Sequence, residues 1–218
     1  EQELIGRPMS MRDALATRLH DVNHIPVTHQ NVLVTAGATN ALSATVQTLV
    51  DPGDDVMILA PYWPFFRGMV RAAGGGVIEA PFYTELGDET THIENMLQRM
   101  KTSSTVAISL NSPNNPSGRV LSREQLTAVA GFARAHDLWL ISDEAYDGMT
   151  YDGREHVSPA SFRDTLERSG ARTFRVERPD ETGATVDAAA RLAWNTNAVT
   201  AVLIAQRMIG TKTFEGSK

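Results

Sequence analysis

Cysteine is missing from all 218 residues, which removes disulfide frameworks, thiolate metal sites and cysteine nucleophiles and suits a reducing compartment. Positive charge is scarce too. Lys and Arg total 20 against 26 Asp and Glu, a net charge of −6, so no basic face is expected and nucleic acid is excluded as a partner. Lysine is rarer still, with only Lys101, Lys212 and Lys218. No apolar run approaches the roughly 18 residues of a membrane helix, and no basic-then-apolar leader opens the chain. The expectation is a soluble, cytoplasmic protein with no membrane partner. Against these absences stands a hydrophobic content of 42%, enough to bury a core and too much for disorder or a collagen-like repeat.

Ser10 ahead of Met11, Ala14, Leu15 and Leu19 predicts a capped helix, ended by the polar stretch from His20 to His29. The β-branched run Val32 to Thr35 predicts a strand that Gly37 breaks, and Leu42, Val46 and Leu49 resume at helical spacing until Asp51-Pro52-Gly53. A strand from Val56 to Leu59, a helix from about Pro64 to Ala73 and a strand from Val77 to Ala80 follow. Thr105 to Leu110 is apolar and empties into Asn111 to Gly118, whose turn residues forbid regular structure. Ser122 to Gln125 has the capping-box pattern, with Leu126, Val129, Ala130 and Ala133 behind it at helical spacing. Leu138 to Ile141 is apolar without alternation, as in a strand covered on both faces, and stops at Ser142-Asp143-Glu144. Strands alternating with helices predict an α/β fold around a parallel sheet. Beyond it, Ser161 to Thr185 is polar, with one strand-like piece from Thr173 to Val176. Val186 to Ile209 predicts one long helix or two shorter ones.

Ligands of open α/β sheets gather at the carboxyl ends of the strands, and three such places carry chemistry. Thr35 to Thr39 leads from a strand through a small-residue turn into a helix. That aims backbone N–H groups and a hydroxyl at an anion such as phosphate, or makes a tight turn capped by Thr39. The loop after Leu110 offers side-chain amides, with Asn115 placed to donate to a ligand oxygen or to make a turn. Asp143 and Tyr146 follow the most apolar strand, where an ionised carboxylate is costly unless a cation or donors meet it. Capping the next turn is the other role open to Asp143.

Together these stretches resemble the class I and II aminotransferases of pyridoxal 5′-phosphate fold type I, over about Leu4 to Tyr151. The resemblance is carried by Val34 to Leu42, Ala60 to Pro64, Asn111 to Gly118 and Ser142 to Tyr146, in the family's order. It implies a three-layer sandwich with a mostly parallel central sheet, pyridoxal 5′-phosphate as cofactor, and amino-group transfer between an amino acid and a 2-oxo acid. It implies a homodimer as well. By the same resemblance Gly37, Ala38 and Thr39 hold the cofactor phosphate, and Trp63, rather than Tyr62, stacks on the pyridine ring. Asn115 and Tyr146 hydrogen-bond the ring's phenolic oxygen, and Asp143 pairs with its nitrogen, keeping it protonated so that the ring accepts electrons. A structural core tryptophan is the alternative for Trp63. The chain then divides into an N-terminal helix and connection (1–30), a cofactor-binding large domain (31–185), and a long helix leading toward a mostly absent C-terminal small domain (186–218).

The resemblance has a gap. Such enzymes form a Schiff base through a lysine, and here Lys101 precedes the Asn-rich loop, while Lys212 and Lys218 lie past the place where a Ser-x-Ser-Lys type motif should follow Thr173 to Val176. The Gly-Trp-Arg type motif is missing, and Arg175 and Arg178 stand in other contexts. The pattern resumes near Val186, as though the catalytic stretch were removed between about Arg175 and Thr185, and the catalytic residue stays unassigned. Two rivals remain: a non-catalytic relative that binds the cofactor or an amino acid as a sensor, and a lyase, decarboxylase or racemase sharing the ring chemistry. His20 and His24 lack a third metal ligand, Gly74 to Gly76 reads as a helix stop, and no nucleophile elbow is present. No metal is expected.

Overall fold

The structure, a computed structural model, describes residues 10–86, 91–162, 174–177, 200–203 and 206–207. In chain order the elements are α1 (Met11–Asp21), β1 (Val34–Ala36), α2 (Ala38–Leu49), β2 (Asp55–Leu59), α3 (Phe65–Ala72), β3 (Gly76–Ala80) and α4 (Phe82–Glu85). There follow α5 (Thr91–Met100), β4 (Thr105–Asn111), α6 (Arg123–Ala135), β5 (Trp139–Asp143), β6 (Phe174–Glu177), β7 (Thr200–Leu203) and β8 (Gln206–Arg207).

Two helices start on the same device. Ser10 Oγ accepts the N–H of Asp13 while the Asp13 carboxylate accepts the N–H of Ser10, and Ser122 and Gln125 repeat the exchange at α6. Each box satisfies two backbone donors that the first helical turn leaves orphaned. Ser122→Ala should therefore cost about 1 kcal/mol, measurable as a lower urea midpoint with an unchanged slope.

The sheet runs β1-β7-β6-β5-β4-β2-β3, with β8 pairing β5 outside that path. β3, β2, β4, β5 and β6 are mutually parallel, whereas β7 is antiparallel to both of its neighbours, β1 and β6. Two reversals restore direction, so β1 points the same way as the parallel set. The carboxyl ends of β1, β2, β4 and β5 consequently lie along one edge.

Side chains alternate across the sheet. Met57, Leu59, Ile108, Leu110 and Leu140 face one side and pack with Ile93, Leu97, Leu126 and Val129 of α5 and α6. Val56, Ile58, Ala107 and Ile141 face the other and pack with Leu42, Val46, Phe66 and Val70 of α2 and α3. This is the three-layer arrangement expected from the alternation of elements, with both faces of the central strands covered. α1 forms a satellite cluster in which Leu15 and Leu19 meet Ile25, Val32 and Ala160.

Three departures from the sequence reading have physical causes. The first strand begins at Val34 rather than Val32, because Val32 is drawn into the α1 cluster and pairing with β7 starts at Val34. α5 was not anticipated, although Ile93, Met96, Leu97 and Met100 recur at helical spacing and meet the core. The helix expected over Val186–Ile209 is contradicted at Thr200–Leu203, which form β7 between β1 and β6. An open place between two sheet strands supplies hydrogen-bond partners on both sides, and that outweighs the helix propensity of an alanine-rich run. The sheet thus draws on the 186–218 segment. The remainder of that segment, and the join placed at about 175–185 apart from β6, lie outside the described residues.

Candidate active site

The functional edge is assembled by four strand ends. β1 delivers Gly37, whose φ of 92° places it in the left-handed region that favours glycine, and α2 starts at once behind it. No side chain caps that helix. Asn40 and Ala41 N–H groups bond the Gly37 carbonyl at 3.1 and 3.2 Å, which leaves the N–H groups of Ala38 and Thr39, with the exposed Thr39 side chain, at the positive end of the helix dipole. β2 leads to Tyr62 and Trp63, β4 to the Asn111–Gly118 loop, and β5 to Asp143 and Tyr146.

Between them lies a solvent-open cleft lined by Leu42, Ile58, Tyr62, Trp63, Phe66, Ser109, Asn111 and Asp143 among others. Strand alternation explains this lining. Ser109, Asn111 and Asp143 have the same parity as Ala107 and Ile141, so they face α2 and α3, while Glu144 turns to the opposite side. Trp63 forms an aromatic wall that its neighbour Phe65 extends, the ring centroids 5.1 Å apart and tilted by 35°.

The polar groups are interlocked. Asn115 Nδ2 donates to the Tyr146 hydroxyl at 3.3 Å, and the Asn115 N–H donates to Asn111 Oδ1 at 2.6 Å. Asn114 Nδ2 donates to the Pro61 carbonyl at 3.1 Å, tying the same loop to the aromatic segment. The Tyr62 hydroxyl donates to Glu79 at 2.9 Å, and burial first, then this carboxylate, hold its pKa above the usual tyrosine range.

Asp143 retains some contact with the cleft, yet protein atoms crowd its other sides, and the loss of water pushes its pKa up to about 6. The Ala145 N–H, 3.2 Å from Oδ1, pulls the other way, and the negative Glu144 adds to the rise. Among the described residues no cation pairs with this acid. Glu144 itself is fully buried, accepting from Ser142 and Ser158 hydroxyls at 2.8 and 2.9 Å and lying 2.8 Å from His156 Nε2.

The structure therefore brings Trp63 and Asp143 to one cleft, bonds Asn115 to Tyr146, and sets Gly37, Ala38 and Thr39 on the same sheet edge at the head of the helix that lends Leu42 to the lining. Asn111 was missed as a site residue, though its odd-numbered parity with Ala107 on the strand was the available signal. Lys101 stands just ahead of β4, at the amino edge of the sheet, about 20 Å of extended chain from the functional edge. Lys212 and Lys218 lie outside the described residues. Among the described residues no group of three or more His, Asp or Glu could hold a metal ion, and no helix is long and apolar enough to cross a membrane.

A mostly parallel sheet with an antiparallel strand, β7, next to its edge, and with polar loops and an aromatic wall gathered at the carboxyl ends, is the architecture of the fold type I transferases. Solved structures agree: an aspartate aminotransferase from Thermus thermophilus with maleate superposes with a TM-score of 0.71 at 34% identity, covering 89% of this chain and 46% of that one. An aromatic aminotransferase from Pyrococcus horikoshii OT3 gives 0.72 at 30% identity, covering 88% and 48%. The profile of the aminotransferase class I and II family matches residues 7–178, and the chain belongs to that family, whose members are enzymes that depend on pyridoxal 5′-phosphate. Among curated relatives, the aspartate/prephenate aminotransferase of Thermus thermophilus is 42% identical over 149 residues, 68% of this chain and 38% of that protein. The arginine–pyruvate transaminase of Pseudomonas aeruginosa is 39% identical over 160 residues, 73% and 40%. The chain spans less than half the length of these relatives. The family match ends at residue 178, so the pattern read near Val186 lies beyond it.

Proposed function

We propose that the chain carries the cofactor site of an aminotransferase that moves an amino group between an amino acid and a 2-oxo acid. The observation that supports it most is Asp143. A crowded acid with a pKa near 6, facing an aromatic cleft and meeting no cation among the described residues, is a site matched to a protonated heteroaromatic nitrogen. The remaining residues fit the same group. The uncapped start of α2 behind Gly37, with the N–H groups of Ala38 and Thr39, suits a phosphate. Trp63 supplies a flat wall for a ring, and the Asn115–Tyr146 pair supplies donors for a phenolic oxygen.

When bound, pyridoxal 5′-phosphate supplies an electron-withdrawing ring that acidifies the Cα bond of an amino acid. The chain's part is to hold it. Asp143 would keep the proton on the ring nitrogen, Asn115 and Tyr146 would hold the phenolic oxygen, and Trp63 would keep water off one face. A homodimer in the cytoplasm belongs to the same reading, supported by the family resemblance and the absence of cysteine, whereas the large domain extends past the boundary read at 185, because β7 and β8 belong to its sheet. A non-catalytic cofactor binder is the second reading, favoured by the placement of Lys101 at the far edge of the sheet.

Pyridoxamine 5′-phosphate is the informative probe, because its amine cannot condense with lysines and it reports the holding contacts alone. Titration should quench tryptophan fluorescence saturably, and Trp63→Phe should remove most of that signal while equilibrium dialysis still detects binding. No saturable binding by dialysis would overturn the cofactor reading. Borohydride reduction with pyridoxal 5′-phosphate, followed by peptide mass analysis, separates the two readings: a single modified lysine supports the enzyme, and none supports the binder.

A further inference from the structure

Asn111 ends β4 with its side chain in the cleft, buried to 8% exposure. Both ends of its amide are used. Nδ2 donates to the Asp143 carbonyl at 2.8 Å, and Oδ1 accepts the Asn115 N–H at 2.6 Å. The reversed amide would set oxygen against the Asp143 carbonyl and NH₂ against the Asn115 N–H, two repulsions in place of two bonds, so the network fixes its orientation. The main chain of Asn111 is anchored in turn: its carbonyl accepts the buried Tyr83 hydroxyl at 2.6 Å, and its N–H lies 3.3 Å from the same oxygen. Burial holds the Tyr83 pKa far above the usual tyrosine range, so that phenol remains a donor. The Ser112 N–H adds a second bond to the Asp143 carbonyl at 3.2 Å.

We propose that Asn111 is a positioning residue that sets the separation between Asp143, at the end of β5, and Asn115, whose amide holds the Tyr146 hydroxyl. The inference rests on the cofactor reading, in which these groups meet two atoms of one rigid ring. A rigid ring cannot follow a displaced partner, and misplacement on the order of 1 Å at either end forfeits one of the two contacts. No other side chain serves. Asp keeps the acceptor and loses the donor, Leu loses both, and Gln is one methylene too long for a span of two short bonds.

The test compares wild type, Asn111→Ala and Asn111→Asp for pyridoxamine 5′-phosphate affinity by dialysis, for the pH midpoint of the bound ring's absorbance, and for melting temperature. The expected result is roughly tenfold weaker binding with the bound-ring midpoint moved toward that of the free compound. A loss of stability alone would not produce that movement. A folded variant that binds within twofold of wild type with an unmoved midpoint overturns the inference and leaves the cofactor reading intact. A wild-type chain that does not bind overturns both. If neither variant folds, hydrogen exchange of the wild type decides: the Asn115 amide must be protected in the free chain, and an unprotected amide overturns the proposal.

Discussion

Asp143→Asn should move stability and binding in opposite directions. In the free chain the acid has a folded-state pKa of about 6 against about 3.9 unfolded. Between these values the native state binds more protons than the unfolded state, so stability falls as pH rises. The loss is absent below pH 4 and complete above the folded value. Two pKa units correspond to at most about 3 kcal/mol, and the side chain's remaining solvent contact reduces this to about 1–3 kcal/mol. The isosteric amide escapes the loss. Melting curves of the two proteins should coincide below pH 4 and separate above pH 6, with the variant more stable. Affinity for pyridoxamine 5′-phosphate should fall about thirtyfold or more, the usual consequence of truncating one partner of a desolvated charge pair. A variant that is less stable at pH 7.5, or that binds as wild type does, would contradict the assignment of Asp143 as a strained acid awaiting a cation.

The second large effect belongs to Glu144. One residue beyond Asp143, it turns to the opposite face and lies fully buried among Ser142, Ser158 and His156. Glu144→Ala would strand two hydroxyls and an imidazole in the interior and open a cavity beside them. Breaking a buried, hydrogen-bonded charge cluster in this way costs about 3–5 kcal/mol, a large part of the stability of a domain this size. Glu144→Gln retains the shape and most acceptor capacity and should cost less. It also removes the negative charge that raises Asp143, so the pH window in which Asp143→Asn gains stability should shift downward in the Glu144→Gln background. Denaturant unfolding at pH 7 and melting against pH check both parts. An Ala variant within 1 kcal/mol of wild type would show that the cluster is solvated in solution.

Much of the candidate site's placement was legible in the sequence. The capping box at Ser122 is a local pattern four residues long and forms as read, and the capped start read at Ser10 proves to be a second such box with Asp13. Gly37 between a β-branched run and a helical run marks a tight strand-to-helix turn, and its backbone has the positive φ such a turn favours. Asp143 ends a strand and Trp63, Asn115 and Tyr146 follow one, and parallel strands deliver such residues to a common edge. Other features resisted reading for an equally physical reason. The helix expected over Thr200–Leu203 was overruled by a place between β1 and β6 that exists only after the sheet assembles. The carboxyl-to-imidazole contact of Glu144 and His156 spans twelve residues of loop, and no periodicity encodes it.

From the residues alone came most of the alternation of strands and helices up to β5, the three strand-end loops that bear polar groups, and the family they resemble, because each depends on interactions within a few positions along the chain. Tertiary structure alone decided that Asn111 bridges Asn115 to Asp143, that Asp143 is crowded enough to hold its proton near pH 6, and that Lys101 sits at the wrong edge to reach them. Those outcomes depend on which distant segments exclude water from one another, a property of the packed sheet rather than of any stretch of sequence.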